Sequence, residues 1–317
     1  MVRSKILIFN HNLYPMNVKN KILLVVNPIS GNLEKGELID MIKEELKARD
    51  KKLKIYETSG KDDIENIGEL IDEESPERVL VAGGDGTIQL VAEVLKKHHL
   101  PIGIIPAGSA NGFAMNLKLP IKRIDQLEIA LSDNLLETDT LLVNNKVCLH
   151  IADLGINAEL IKNYENSKIR GKLGYFLQSI PTLIKCEYPF NFEIEINNKY
   201  YQKKGILLAI ANASKFGTGA NINPHGKIND GKFEVLIFKN LDFIEIFKSL
   251  YSEEVDFDSN FVEDVSTTKV KITSRTPVAL QIDGEFIGEV TEVHAEVSPK
   301  KLLIAVPQEY LEEVTNN

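Results

Sequence analysis

An open parallel α/β sheet followed by an antiparallel β domain is the architecture this 317-residue sequence predicts. Three observations carry it. Residues 21 to 130 alternate short apolar runs with amphipathic helical patterns. Glycine-bearing turns follow three of those runs, at the strand ends where such sheets bind ligands. Beyond about residue 135 the texture changes to short β-rich runs broken by Asn, Asp, Gly and Pro. The expected division is an N-terminal extension over 1–20, an α/β domain over 21–134 and a β-rich domain over 135–317.

The elements follow in order. Lys21 to Val26 is a continuous apolar run, as a strand buried on both faces requires. Residues 34–49 set Leu38, Met41, Ile42 and Leu46 at helical spacing, 53–58 alternates as a strand, and 62–74 repeats the helical spacing with Ile64, Ile67, Leu70 and Ile71. Arg78 to Ala82 is a strand, 87–97 a helix with Val91, Val94 and Leu95 on one side, and Ile102 to Ile105 another buried strand. In the second part, β runs are expected at 138–143, 147–152, 190–196, 205–211, 233–238, 269–273, 278–282 and 292–297, forming an antiparallel sandwich. Helices at 157–165, 171–185 and 241–250 interrupt them. Leu302 to Val306 either closes the sandwich or returns to the first domain. Residues 1–20 read as an edge strand or an unstructured lead.

Composition narrows the class. A hydrophobic fraction of 43% and a charged fraction of 26% belong to a soluble globular protein. The net charge of −9 argues against broad adsorption to nucleic acid or anionic lipid. With two cysteines, Cys148 and Cys186, a disulfide framework is not expected and a cytoplasmic location fits. No run reaches the roughly 18 apolar residues of a spanning helix, and Ile6 to Phe9 is too short for a signal-peptide core. Any membrane contact is expected to be peripheral and reversible, at the inner face.

The turns carry the chemistry. Val81-Ala-Gly83-Gly84-Asp85-Gly86-Thr87 joins a strand to a helix. Its glycines let the backbone turn and approach an anion, and the helix aims unpaired N–H groups and its positive end there. Asp85 would repel a bare phosphate, so it implies a bridging divalent cation such as Mg²⁺. Asn27-Pro28-Ile29-Ser30-Gly31, after the first strand, is either a plain connection or a grip on phosphate or ribose. In Pro106-Ala107-Gly108-Ser109-Ala110-Asn111-Gly112, small residues admit a flat base or sugar, and Ser109 is expected to cap a helix. Asn111 either binds nucleotide or adopts a left-handed turn. Ile282-Asp283-Gly284-Glu285 is either a hairpin tip or a pair of carboxylates brought to the mouth of the first domain.

These segments, with Gly171-Lys-Leu-Gly-Tyr175, occur in the order seen in the diacylglycerol kinase catalytic family, and the chain resembles that family from about residue 20 to 307. The resemblance implies a two-domain lipid kinase. It would transfer the γ-phosphate of ATP, with Mg²⁺, to a lipid hydroxyl in the interdomain cleft. Asn27, Ser30, Gly31, Gly83, Gly84, Gly86, Thr87, Gly108, Ser109 and Asn111 would hold the nucleotide. Asp85, Asp283 and Glu285 would be catalytic, with Asp283 similar to the family's general base and Asp85 and Glu285 on the metal. A structural Mg²⁺ of bacterial members would fall on Asp230, although Ile228-Asn229-Asp230-Gly231 keeps one acid of the usual pair. Gly112 stands where glycerolipid kinases usually carry Asp, which looks more like the sphingoid-base kinases.

Ser167 to Cys186 sets Lys168, Arg170 and Lys172 before an apolar stretch, either a lipid-facing segment or a core helix. An NAD kinase-like enzyme with a soluble acceptor shares the G-G-D-G-T turn, but its N-E dipeptide and T-G-S-T-A-Y-like segment are missing. A non-catalytic nucleotide- or lipid-binding regulator is the remaining alternative.

Overall fold

The computed structural model describes residues 20–29, 35–109, 111–165, 189–216, 220–240 and 260–316. Ser30, Gly31, Gly171 to Tyr175 and the expected helices at 171–185 and 241–250 lie outside them.

The first part alternates strand and helix: β1 (Lys21–Val26), α1 (Lys35–Ala48), β2 (Lys52–Glu57), α2 (Asp63–Glu74), β3 (Arg78–Gly83), α3 (Asp85–Leu95) and β4 (Ile102–Pro106). Then come a short α4 (Gly112–Asn116), α5 (Arg123–Leu131) and β5 (Leu135–Thr138). β1 shows why the layers form. Ile22, Leu24 and Val26 face Leu38, Ile42 and Leu46 of α1, which recur every fourth residue. Leu23 and Val25 face the opposite way, with Ile67 and Ile71 of α2 and Ile88 and Val91 of α3. A strand covered on both faces must be apolar where it is buried, and this one is from Ile22 to Val26.

The second part holds β6 (Leu141–Val143), β7 (Lys146–Cys148), β8 (Ile151–Gly155), α6 (Ile156–Glu165), β9 (Phe190–Ile196), β10 (Lys199–Gly205) and β11 (Leu207–Ala211). It continues through β12 (Lys215–Phe216), β13 (Ala220–Asn221), β14 (Phe233–Phe238), β15 (Val262–Thr267), β16 (Lys269–Ile282) and β17 (Glu285–Val297). The last elements are β18 (Leu302–Ala305) and α7 (Gln308–Asn316).

Two sheets dominate. The first has the order β2-β1-β3-β4-β18-β5, with β18 parallel to β4 and antiparallel to β5. The last strand therefore returns to the first sheet, and β5 joins it there. The expected run 138–143 is two strands in two sheets, with the chain crossing at Asp139-Thr140. The second sheet is antiparallel with the path β15-β14-β11-β8-β16-β17-β6-β7, and β9 and β10 branch from β16. The runs expected at 269–273 and 278–282 are one strand. A register shift between Thr273 and Val278 lets its first half pair with β9 and its second with β8, so the sheet folds over its own apolar face.

Candidate active site

The strand order decides where a ligand can sit. The chain runs from β1 outward to β2, then crosses back to β3 on the other side of β1, so β1 and β3 form a switch point. Their carboxyl ends are adjacent, because the Asn27 N–H donates to the Ala82 carbonyl at 3.2 Å. On one flank the Thr58 N–H donates to Val26 O at 2.8 Å, and on the other Ala107 N–H donates to Gly83 O at 2.8 Å. Four strand ends thus meet at one edge. A cavity of about 500 Å³ opens there, lined by Asn27, Thr58, Gly60, Gly86 and Thr87 among others. Thr58 carried no signal in the sequence beyond ending a strand. A larger cavity, about 1000 Å³, lies between the β6–β7 and β9–β10 hairpins and is lined by none of these residues.

The glycines at this edge do different work. A Cβ on Gly108 would fall 2.4 Å from the Gly84 Cα, so the second and third turns touch backbone to backbone. A Cβ on Gly83 would strike the Thr87 hydroxyl at 2.3 Å. Gly86, in the first turn of α3, is exposed and would meet nothing within 4 Å. Nothing in the fold requires its missing side chain, and glycine inside a helix costs about 0.8–1 kcal/mol relative to alanine. The bare backbone there leaves room for a ligand to approach closely.

Asn111 takes the left-handed conformation, φ 56°. Its amide closes on Gly108, accepting from the N–H at 2.8 Å and donating to the carbonyl at 2.9 Å. Of the two readings of Asn111, the turn is the one observed. Ser109 does not cap α4, since Asn111 is at the cap position and Ser109 is exposed. The unpaired N–H groups of α4 go instead to Asp85, whose Oδ2 accepts from Gly112 and Oδ1 from Phe113, each at 2.9 Å. Lys35 also reaches this edge, its ammonium donating to the Ala107 carbonyl at 3.0 Å. Burial, then the nearby Arg123 charge, lowers its pKa from the usual lysine range.

Asp283 sits deeper. It and Gly284 form the two-residue tip between β16 and β17, with φ 49° and 91°, the conformation expected of a D-G hairpin. The Asp283 side chain is nonetheless fully buried. Its Oδ2 accepts from Leu149 N–H at 2.6 Å, and its Oδ1 from His150 and Ile151 N–H, both at 3.0 Å. His150 Nδ1 lies 2.9 Å from the same Oδ1. Burial pushes Asp283 up, but His150 and the backbone donors outweigh it, and the net shift is downward. For His150, burial lowers the pKa, whereas Asp283 and then Asp85 raise it further, so it stays protonated beyond its usual range. The His150 ring stacks on Phe113 with centroids 6.3 Å apart and planes at 30°.

A continuous path therefore runs from Asp85 through the Phe113 backbone and ring to His150 and Asp283. α3 fixes its two ends together: Gln89 donates to Val147 O at 2.6 Å and Glu93 accepts from Val147 N–H at 2.5 Å. His150 was missed in the sequence because a lone histidine in an apolar run reads as core.

Glu285 is exposed at the start of β17. Asp230 is exposed and caps its own turn, accepting from Lys232 N–H at 3.0 Å. The buried carboxylate beside that segment is Asp139, which takes Gly231 N–H at 2.6 Å and the Lys301 ammonium at 2.9 Å. Lys301 also donates to Asn229 O at 3.2 Å. An ammonium already balances this pocket, so the segment does not fit a structural Mg²⁺ on Asp230. Among the described residues no three His, Cys, Asp or Glu side chains gather as a metal cage. A nucleotide-borne Mg²⁺ needs none, since one or two carboxylates and the phosphates hold it. The edge at Asn27, Thr58, Gly86 and Asp85 fits that pair. No helix among the described residues is long and apolar enough to cross a membrane.

Comparison with known proteins places the fold. Residues 21–143 match the family described as diacylglycerol kinase catalytic domain. Residues 151–306 match the YegS C-terminal NAD kinase beta sandwich-like domain. A Salmonella typhimurium protein named "Probable lipid kinase YegS" is 29% identical over 238 residues, 73% of this chain and 78% of its own. An uncharacterized protein of Synechocystis is 27% identical over 310 residues, 90% of this chain and 70% of its own. The crystal structure of a diacylglycerol kinase from Bacillus anthracis superposes with a TM-score of 0.73 at 19% identity, covering 92% of this chain and 98% of that one.

Proposed function

The chain belongs to the diacylglycerol kinase catalytic family, and we propose that it transfers the γ-phosphate of ATP to a lipid hydroxyl at the edge where Asp85 and Asp283 converge. That convergence is the observation carrying the reading. A phosphate cradle on one sheet is joined, through Phe113 and His150, to a buried ion pair on the other.

In the proposed reaction the lipid hydroxyl oxygen bonds to the γ-phosphorus as the bond to the β,γ-bridging oxygen breaks. The hydroxyl proton passes to a carboxylate and ADP leaves. Asp85 is suited to take that proton. It is half-buried at the crevice, and each oxygen has accepted one backbone N–H, which leaves a lone pair on each. Asp283 is not suited, because its side chain is fully buried and its Oδ1 already takes the His150 and Ile151 N–H groups and faces His150 Nδ1. Its role in this proposal is to keep His150 charged, placing a fixed cation behind the site where negative charge must be held. Asn27, Thr58, Gly84, Gly86, Thr87 and Gly108 bind and orient the nucleotide, with Lys35 beside them. Mg²⁺ carried by ATP would neutralise phosphate charge, and Asp85 and Glu285 are the carboxylates available to it.

The test is transfer of labelled γ-phosphate from ATP with Mg²⁺ to a detergent-dispersed total lipid extract. Wild type is run beside Asp85→Asn and Asp283→Asn. A labelled lipid lost in Asp85→Asn and diminished in Asp283→Asn supports the proposal and identifies the acceptor. ATP binding with no labelled lipid would overturn it in favour of a soluble acceptor or a regulator.

A further inference from the structure

A second buried carboxylate lies behind the Asp283 turn. Asp153 of β8 is 1% exposed and stands directly across from Gln281 of β16. Its Oδ2 accepts two short hydrogen bonds, from Gln281 Nε2 and from Asn157 Nδ2, both 2.6 Å. Gln281 is itself fully buried, and its Oε1 accepts the Gly284 N–H at 2.7 Å. An amide held at both ends has one workable orientation. Turned over, it would set its NH₂ group against the Gly284 N–H and its oxygen against a carboxylate. Asp153 therefore decides which end of Gln281 meets the turn.

Stability alone does not explain the arrangement. Ala152, Leu154, Leu280 and Ile282 on either side are apolar and buried. An apolar pair of similar volume at 153 and 281 would avoid burying a carboxylate, which costs free energy even when hydrogen-bonded. What the polar pair adds is a fixed position for Gly284, the residue after Asp283.

We infer that Asp153 is a positioning residue for phosphoryl transfer: through Gln281 it sets the Asp283–Gly284 turn and so holds Asp283 against His150. The inference rests on the kinase reading of the site, but the geometry of the turn can be tested apart from it.

The experiment compares wild type, Gln281→Glu and the double variant Asp153→Asn/Gln281→Glu. Each is measured for kcat, for the KM of ATP and for amide exchange at Gly284, from pH 6 to pH 8.5. Gln281→Glu preserves shape but opposes two carboxylates, which can share a proton at low pH and must separate when it leaves. The double variant exchanges acid and amide, so that the new amide at position 153 would donate to the new carboxylate at position 281 and accept from Asn157. The expected result is a kcat in Gln281→Glu that falls roughly tenfold or more as pH rises, with the KM of ATP unchanged and Gly284 exchange accelerated in step. The double variant recovers both across the range. Wild-type kcat and exchange in Gln281→Glu at every pH would overturn the inference, as would a double variant no better than the single. If wild type transfers no phosphate, the kinase reading fails on its own, and Gly284 exchange alone decides whether Asp153 sets the turn.

Discussion

His150 and Asp283 form an ion pair in the interior, with Nδ1 2.9 Å from Oδ1 and side-chain exposures of 4% and 0%. Burial alone would discharge the histidine, so the carboxylate keeps it protonated. Asp283→Asn removes the opposing charge and leaves Asp85 as the remaining raising influence. The His150 pKa is then expected to fall, read from its ring protons by NMR and assigned by their loss in His150→Gln. At pH 6 the variant should lose about 3 kcal/mol of stability, as breaking a buried pair does. An unmoved His150 pKa would mean the two groups do not share charge.

Gly86 and Gly108 make a second contrast. A side chain at Gly108 must displace the Gly84 backbone, whereas one at Gly86 meets open space. Gly86→Ala is therefore expected to stabilise α3 by up to about 1 kcal/mol while weakening ATP binding at least tenfold. Gly108→Ala should lower stability by about 1–3 kcal/mol through overpacking. Urea denaturation and calorimetric titration with ATP separate the two. Undiminished ATP affinity in Gly86→Ala would remove the cradle from the proposed site.

Asp85 joins structure and chemistry in one side chain. Asn at this position keeps one acceptor for α4 but turns an NH₂ group toward the other backbone N–H, a loss of about 1–2 kcal/mol. Phosphoryl transfer should fall further, by about 10²–10⁴-fold, at a temperature where the variant is fully folded. A fall no larger than the unfolded fraction explains would make Asp85 only the cap of α4.

How much of this was legible depends on burial. β1 and β3 were plain because, past their first residues Lys21 and Arg78, strands covered on both faces must be apolar, and helices such as α2 showed their spacing for the same reason. β10 and β15 were missed. Both lie at edges of the second sheet, and their sequences, Lys199-Tyr-Tyr-Gln-Lys-Lys-Gly and Val262-Glu-Asp-Val-Ser-Thr, are polar and charged with no apolar run to mark a strand. β16 read as two strands because Ser274-Arg275-Thr276-Pro277 resembles a turn, yet it is a register shift within one strand. At the site, glycines announced the edge where the strand ends meet through a backbone requirement. His150 and Asp153 gave no such signal, since their partners Asp283 and Gln281 lie more than a hundred residues away in sequence.

Asp153 has a consequence for stability as well as position. Burial raises its pKa to about 7, against the opposing pull of hydrogen bonds from Gln281, Asn157 and the Ala158 backbone. The folded chain thus binds this proton more tightly than the unfolded chain, where the value is 3.8. For an acid shifted upward, stability is greatest below the unfolded value, falls as pH rises from about 4 to 7, and levels off above. Asp153→Asn cannot ionise and should not suffer that loss. The difference in stability between variant and wild type is expected to move in the variant's favour between pH 4.5 and pH 7.5, by on the order of 4 kcal/mol at most. His150 and Asp283 titrate in both proteins: the charged histidine contributes below its unfolded pKa and its contribution is lost above its raised folded one, and the carboxylate contributes above its unfolded pKa and its contribution is lost below its lowered folded one. Taking the difference cancels them and isolates Asp153. Urea midpoints measured at the two pH values give the answer, and a difference independent of pH would show that Asp153 is ionised in the folded chain throughout.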